Sequence, residues 1–275
     1  MTLKEIRSEY HIQLDDIYDF NEVESFFYML IEQYFQLPKY SIALEPDKVI
    51  SGPDQTIMLE ALEELKSQKP IQYILGNTEF FGLHFKLNKD VLIPRLETEE
   101  LVTWVLEECQ GMNLKILDVG TGSGCIAIVL AKNLPEAQIS GLDISRRAIG
   151  LATENASIND VGVRFFQTDI LLSETLSEEI MDKEFDIIVS NPPYVLNSEK
   201  KEMRLNVLDN EPHSALFVDD DRALLFYNGI IEFAKKALKV NGRLYFEINE
   251  KFGQEICNLL KTNKYSDIQL KQDIY

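Results

Sequence analysis

The chain has 275 residues, 45% of them hydrophobic, and sets 27 Lys and Arg against 46 Asp and Glu for a net charge of -19. That length suits two domains better than one, and the charge repels a phosphate backbone over most of the surface, so direct sequence-specific binding of nucleic acid is not expected. No run approaches the roughly 18 to 20 apolar residues of a membrane span, the opening MTLKEIRSEYHIQLDD lacks a signal peptide's apolar stretch, and Cys109, Cys125 and Cys257 have neither metal nor redox spacing; a cytoplasmic protein without membrane, disulfide or metal is expected.

Up to residue 78 the pattern is helical. Val23, Phe26, Phe27, Leu30, Ile31, Tyr34 and Phe35 recur at three- and four-residue steps, and Met58, Ala61, Leu62 and Leu65 repeat the period more weakly. Gly52-Pro53-Asp54 marks a break before the second of these helices, and Lys69-Pro70 ends it. Residues 1–78 therefore read as a small helical domain. Across 79–95, FFGLHFKL and VLI flank Asn88-Lys89-Asp90, which predicts a β-hairpin linker turning at those three residues. From 96 to 275 strand-like and helix-like runs alternate: KILDV, CIAIVLAKNL, QISGLDI, RRAIGLATENASI, VRFFQTD, FDIIVS, LLFYNGIIEFAKKAL, RLYFEI and EICNLLK. The alternation predicts an α/β domain, a mostly parallel sheet with helices on both faces.

In such a sheet ligands bind beyond the carboxyl ends of the strands, where strand order reverses. Three motifs fall at strand ends. Asp118-Val119-Gly120-Thr121-Gly122-Ser123-Gly124 follows the first strand and opens a helix, so its backbone can turn tightly and approach a ligand. Asp143, 19 residues after Gly124 at the end of the second strand, can accept both hydroxyls of a ribose; its plainer reading is a turn or cap before Ser145. Asp169, with Ile170 beside it, can accept an adenine amino group, or be an ordinary loop aspartate. Together they describe a nucleoside pocket. The G-x-G-x-G spacing differs from the G-x-G-x-x-G of dinucleotide folds, which stay as the second choice. It resembles the S-adenosylmethionine (SAM) site of class I methyltransferases, a Rossmann-like fold.

SNPPYV, residues 190–195, ends the fourth strand with an amide, two prolines and an aromatic. Two prolines can simply stop a strand. Beside a nucleoside pocket the same residues suit methyl transfer to a planar nitrogen, whose lone pair is delocalised and needs alignment. Asn191 offers a side-chain oxygen, the carbonyls of Asn191 and Pro192 offer backbone acceptors, Pro193 contributes no competing N–H, and Tyr194 can stack on a planar group.

Residues 70–253 closely resemble the HemK/PrmC-type protein-(glutamine-N5) methyltransferases. The features that carry the resemblance are PIQYILGNTEFFGLHF (70–85), LIPRLETEELV (92–102), DVGTGSG (118–124), SNPPYV (190–195) and EPHSALFVDDDRALLFY (211–227). NPPY alone is shared with amino methyltransferases acting on bases; the combination is far more specific. The resemblance implies that SAM is the methyl donor and that the acceptor is the glutamine of the Gly-Gly-Gln motif in peptide chain release factors. By it, Gly120 to Gly124, Asp143, Asp169 and Ile170 hold the cofactor, with Asn191 beside them, while Asn191, Pro192, Pro193 and Tyr194 hold the glutamine. Two departures stand out. Leu96 replaces a proline of the family's P-R-P-E-T-E, and family members continue past DIQLKQDIY with a short antiparallel final strand of a seven-stranded sheet, where this chain stops at Tyr275. Either the chain is clipped there or its sheet is shortened, with a gap or a different edge.

The remaining residues have plain readings. His11, His84 and His213 share no metal spacing, Asp219 to Asp221 read as a solvated helix start, and Trp104 as packing between a helix and the sheet. The stretch from Leu196 to Phe217 is long for a connection and is expected to order over the substrate. Because a transfer pocket alone does not select one glutamine among many, residues 1–78 are expected to dock the protein substrate. Two other functions fit parts of the sequence: a DNA amino-methyltransferase acting on adenine or cytosine, opposed by the acidic charge and the lack of a target-recognition domain, and a catalytically idle docking protein.

Overall fold

The computed structural model describes residues 1–109, 113–175, 180 and 184–274, and divides into two compact units. The first comprises Met1–Gly76 with Arg204–Asn210, the second Asn77–Met203 with Glu211–Tyr275.

The first unit is helical. Helix α1 (Leu3–Leu14) begins at a reciprocal cap: the Thr2 hydroxyl accepts the Glu5 N–H and the Glu5 carboxylate accepts the Thr2 N–H. Helix α2 (Phe20–Phe35) carries the strong three-four pattern and ends at Gln36, which takes the left-handed conformation at φ 54° and donates its N–H to the Glu32 carbonyl. After the single turn α3 (Ser41–Leu44), Ser51 caps α4 (Gly52–Lys66), and Pro53 sits in its first turn, where no intrahelical donor is needed. Helix α5 (Ile71–Leu75) stops at Gly76, φ 72°. Leu3, Ile6, Tyr10 and Leu14 of α1 close on Phe26, Phe27, Leu30 and Ile31 of α2 and on Met58, Leu62 and Leu65 of α4. Burying the Tyr10 ring requires a partner for its hydroxyl, and it donates to the Met58 carbonyl at 2.6 Å.

In the second unit β1 (Asn77–Phe80) pairs antiparallel with β2 (Leu83–Lys86), and the turn between them is Phe81-Gly82. This corrects the expected turn at Asn88–Asp90. Phe81 and Gly82 both have positive φ, 52° and 71°, which matches the twist of a two-residue hairpin. Asn88 does make a turn, accepting the Asp90 N–H, but Val91 and Ile93 after it are buried without joining a ladder.

Helix α6 (Leu96–Cys109) precedes the main sheet, which among the described residues has five strands, all parallel, in the order β5-β4-β3-β6-β9. They are β3 (Lys115–Val119), β4 (Gln138–Asp143), β5 (Val163–Gln167), β6 (Phe185–Ser190) and β9 (Leu238–Phe246), with α7 (Cys125–Asn133) and α8 (Arg146–Ile158) between the first three. Strand β7 (Val195–Leu196) pairs with β8 (Phe217–Val218); between them in sequence come α9 (Leu205–Leu208), which belongs to the first unit, and α10 (His213–Leu216). Helix α11 (Leu225–Ala237) leads into β9, and α12 (Gly253–Thr262) follows it. Residues 264–274 add no strand, so β9 is an edge. Beside that edge, about 710 Å³ of groove is walled by Tyr245, Ile256, Leu260, Tyr265 and Leu270.

Apolar residues on both faces of the strands explain the two layers. Ile116, Ile139, Ile187 and Val189 pack with α6 and α7 on one face, while Leu117, Val119, Leu142 and Ile188 pack with Ile230, Phe233 and Ala237 of α11 on the other. Trp104 of α6 meets Tyr245 of β9 edge to face, with ring centroids 5.5 Å apart, as its packing role requires. Asp219 precedes a short 3-10 turn over Asp220–Arg222, a helix start of the expected kind. No helix among the described residues is long and apolar enough to cross a membrane.

Candidate active site

Strand β3 is flanked by β4 on one side and β6 on the other, so the chain order reverses between β3 and β6. The motifs named from the sequence gather at the carboxyl ends of β3, β4, β5 and β6, beside that reversal.

The glycine turn is built largely from backbone. Gly120, Gly122 and Gly124 have φ of 77°, 54° and 83°, a region where a side chain would be strained. At Gly124 a Cβ would also come 3.0 Å from Ile128 Cδ1 and 3.1 Å from Ala152 Cβ, so this glycine lets α7 and α8 approach. At Gly120 the space is open, and the nearest atom to such a Cβ is the Asn191 carbonyl oxygen at 4.0 Å. The loop therefore faces the SNPPYV turn with room between them. Gly120 and Thr121 both donate N–H groups to the Leu142 carbonyl, and Ser123 is buried.

Asp143 ties the loop to β4. Its Oδ2 accepts the Gly122 N–H at 2.9 Å and its Oδ1 accepts the Ser145 N–H at 2.8 Å. The capping and turn reading of Asp143 thus describes contacts it makes within the chain. Each carboxylate oxygen has a second lone pair, so the ribose reading is chemically compatible with them. Burial raises the Asp143 carboxyl above the usual range, opposed by the N–H groups of Ser145, Gly122 and Ile144. Asp118 lies beneath the same loop, fully buried, with Oδ2 accepting the Thr121 hydroxyl at 2.6 Å and Oδ1 without a hydrogen-bond partner among the described residues. Burial pushes its carboxyl up to about 7. Asp169 accepts the Leu171 N–H at 2.9 Å, a local turn, and Ile170 is buried behind it.

The SNPPYV side is held by side chains instead. Ser190, last in β6, donates its hydroxyl to the Val119 carbonyl at 2.6 Å, and its backbone carbonyl accepts the Glu247 N–H. Asn191 donates Nδ2 to Thr98 Oγ1 at 3.0 Å, Thr98 donates to Glu247 Oε2 at 2.7 Å, and the Tyr194 hydroxyl donates to Glu247 Oε1 at 2.9 Å. Tyr227 donates to the Glu247 carbonyl. Burial raises the Glu247 carboxyl above the usual range against the stabilising donors Thr98, Tyr194 and Asn191, and burial beside Glu247 raises the Tyr194 phenol. A small cleft of about 40 Å³ opens here, lined by Leu92, Arg95, Asn191, Pro192, Tyr194, Val195, Ala215, Leu216 and Glu247. Arg95 donates to Glu211 at 2.5 Å and the Ile93 N–H donates to the same carboxylate, so the IPRLETE and EPHSAL segments meet at this cleft.

Thr98 and Glu247 carry weight in this arrangement that the sequence reading did not assign. Thr98 lay inside a quoted motif, and Glu247 had the same mark as Asp143, an acid closing a strand. His213 stacks edge to face on Phe217 and adds nothing to the cleft lining. Among the described residues no cluster of His, Cys, Asp or Glu has the arrangement of a metal site.

Comparison with known proteins first defines the class. The described fold superposes on the catalytic domain of human Mettl16, determined with an RNA hairpin, at a TM-score of 0.50 and 18% identity over 78% of this chain and 74% of that one. Residues 97–216 match the family model "Methyltransferase small domain". The protein is an enzyme of the methyltransferase class, with a class I fold. Along its whole length it is 49% identical to the release factor glutamine methyltransferase of Flavobacterium psychrophilum, covering 96% of that protein. It is 40% identical to that of Bacteroides thetaiotaomicron over 95% of this chain and 92% of the relative, and 42% identical to that of Streptococcus pneumoniae over 78% and 74%. The chain belongs to the release factor glutamine methyltransferase family.

Proposed function

We propose that this protein transfers a methyl group from SAM to the side-chain amide nitrogen of the Gly-Gly-Gln glutamine in peptide chain release factors. The observation that carries the reading is the Asn191-Pro192-Pro193-Tyr194 turn at the reversal point, its Asn191 carbonyl oxygen 4.0 Å from where a Cβ on Gly120 would lie, in a chain that aligns along its whole length with a protein of that name. Gly120, Thr121, Gly122, Ser123 and Gly124 form a cradle of backbone groups with open space on its Asn191 side, which fits the amino-acid end of SAM. Asp143 fits the ribose hydroxyls, and Asp169 with Ile170 fits the adenine edge. SAM, when bound, supplies an electrophilic methyl on a sulfonium.

The chain's own residues orient the acceptor. A carboxamide nitrogen carries two N–H groups and a delocalised lone pair, so holding both N–H groups fixes the direction of attack. Asn191 Oδ1 and the Asn191 and Pro192 carbonyls supply the acceptors, and neither proline adds an N–H that would repel the substrate. Tyr194, anchored through its hydroxyl to Glu247, offers a fixed ring for the planar group. Residues 1–78 dock the protein substrate. A chain lacking 1–76 should methylate an intact release factor far more slowly, with SAM affinity as the control for folding; undiminished transfer would remove the docking role.

The net charge of -19 favours a protein over a nucleic acid as partner. Incubation with radiolabelled SAM and either a release factor or duplex DNA tests the reading: label is expected in the release factor alone. Label in DNA, or in neither, would contradict the reading.

A further inference from the structure

The two ends of an asparagine amide have nearly the same size, yet only one of them accepts a hydrogen bond. A site that uses Asn191 Oδ1 to hold an N–H of its substrate must therefore prevent the amide from turning over. In the turned state Nδ2 would face the substrate nitrogen with donor against donor. Nothing within SNPPYV settles this. The decision falls to the side chains behind it.

Glu247, when ionised, is acceptor-only. Its Oε1 takes the Tyr194 hydroxyl at 2.9 Å and its Oε2 takes the Thr98 hydroxyl at 2.7 Å. Thr98 has one hydroxyl hydrogen, and it is committed to Glu247. Toward Asn191 the same oxygen offers only a lone pair, the 3.0 Å contact is met by Nδ2, and the Asn191 amide also stabilises the Glu247 carboxylate directly, which again requires Nδ2 on that side. Oδ1 is left on the opposite branch of the amide. The direction of every hydrogen bond from Glu247 through Thr98 to Asn191 is thus set at the carboxylate. Thr98 is 2% exposed, so water does not substitute for either partner.

We infer that Thr98 and Glu247 are positioning residues that lock the Asn191 amide with its oxygen toward the substrate, restricting the site to acceptors that present an N–H. The inference rests on the functional reading above in taking the target to be a carboxamide held by Asn191. A plainer role is available for the same contacts, since Thr98 in α6 and Glu247 after β9 also pin a helix to the sheet. The two roles part when Asn191 is absent.

The test compares wild type, Thr98→Ser, Thr98→Val, Asn191→Ala and the double variant Asn191→Ala/Thr98→Val. It reads single-turnover methyl transfer to a release factor, calorimetric SAM affinity, and hydrogen exchange of the Asn191 side-chain amide in asparagine-labelled protein. Thr98→Ser keeps the hydroxyl and should transfer within about threefold of wild type, while Thr98→Val should be slower by roughly tenfold to a hundredfold with SAM affinity unchanged. In the Asn191→Ala background Thr98→Val should change nothing further. Wild-type turnover in Thr98→Val, or the same loss repeated in the Asn191→Ala background, overturns the inference. A wild type that methylates no release factor would overturn the functional reading and leave the lock to the exchange measurement. Slow exchange of the Asn191 Nδ2 hydrogens in wild type and Thr98→Ser but fast exchange in Thr98→Val supports the lock. Equal exchange in all three contradicts it.

Discussion

The two sides of the reversal point are made from different material. On the β4 side, the glycine turn is held through its backbone N–H groups by the end of one neighbouring strand: Gly120 and Thr121 on the Leu142 carbonyl and Gly122 on the Asp143 carboxylate, which also takes the Ser145 N–H. On the β6 side, Asn191 is held by Thr98, 93 residues earlier, and Tyr194 by Glu247, 53 residues later. The first side can be recognised from a short string because its turn is written into three closely spaced glycines of positive φ, Gly120, Gly122 and Gly124. The second shows in sequence only the residues that would touch the acceptor, while those that orient them are dispersed.

If the comparison holds, damage on each side should separate cofactor binding from turnover. The largest effect is expected for Asp143→Ala, which removes the two acceptors proposed for ribose hydroxyls, each worth about 1.5 to 3 kcal/mol, and strands the Gly122 and Ser145 N–H groups. SAM affinity in calorimetry should fall steeply; unchanged affinity would break the assignment. Asn191→Ala should come next, with SAM affinity intact and a loss of about 2.7 to 4 kcal/mol in the transfer barrier, the size expected for one preorganised polar group. Asn191→Asp sharpens this, because it keeps an acceptor but cannot donate to Thr98, so transfer should again be slow. Parallel losses of affinity and turnover in these variants would erase the distinction between the two sides.

Smaller effects test how the loop is supported. Gly124→Ala forces a side chain at φ 83° against Ile128 and Ala152 and should lower stability by about 1 to 3 kcal/mol in chemical denaturation. The last test concerns Asp118. Its carboxyl is raised from 3.8 to about 7 in the fold, so its contribution to stability is present below the unfolded value and is lost as pH rises through about 7. Asp118→Asn carries no charge to bury, so its melting temperature relative to wild type should be higher at about pH 8 than at about pH 5. An equal difference at both values would contradict the burial of that charge.

Much of the fold was legible because its signals are periodic and contiguous. The runs KILDV, QISGLDI, FDIIVS and RLYFEI all fall in strands of the main sheet. Helix α1 was not anticipated: Leu3, Ile6, Tyr10 and Leu14 keep helical spacing, but polar residues fill the gaps and its start depends on a cap between Thr2 and Glu5. Because Asn88-Lys89-Asp90 has better turn chemistry, the hairpin turn at Phe81-Gly82 is not legible in the sequence. There the tertiary setting decides, since the Phe81 N–H reaches the Glu99 carboxylate at 2.7 Å. The grouping of Arg204–Asn210 with the helical unit also rests on contacts distant in sequence, such as the Asn210 amide on the Gln68 carbonyl. At the candidate site, strand-end acids and SNPPYV stood out as short motifs. The link from Asn191 through Thr98 to Glu247 joins three elements and has no contiguous signature.

The most direct measurement of the central claim uses the acceptor itself. The wild-type protein would be incubated with labelled SAM and an intact release factor carrying either Gly-Gly-Gln or the same motif with its glutamine replaced by glutamate, and the product would be mapped by mass spectrometry. A carboxylate has no N–H to offer Asn191 and no nitrogen to receive a methyl group. One methyl on the side chain of that glutamine, and none on the glutamate protein, is the predicted result. Methylation elsewhere in the release factor, surviving the replacement, would contradict the account.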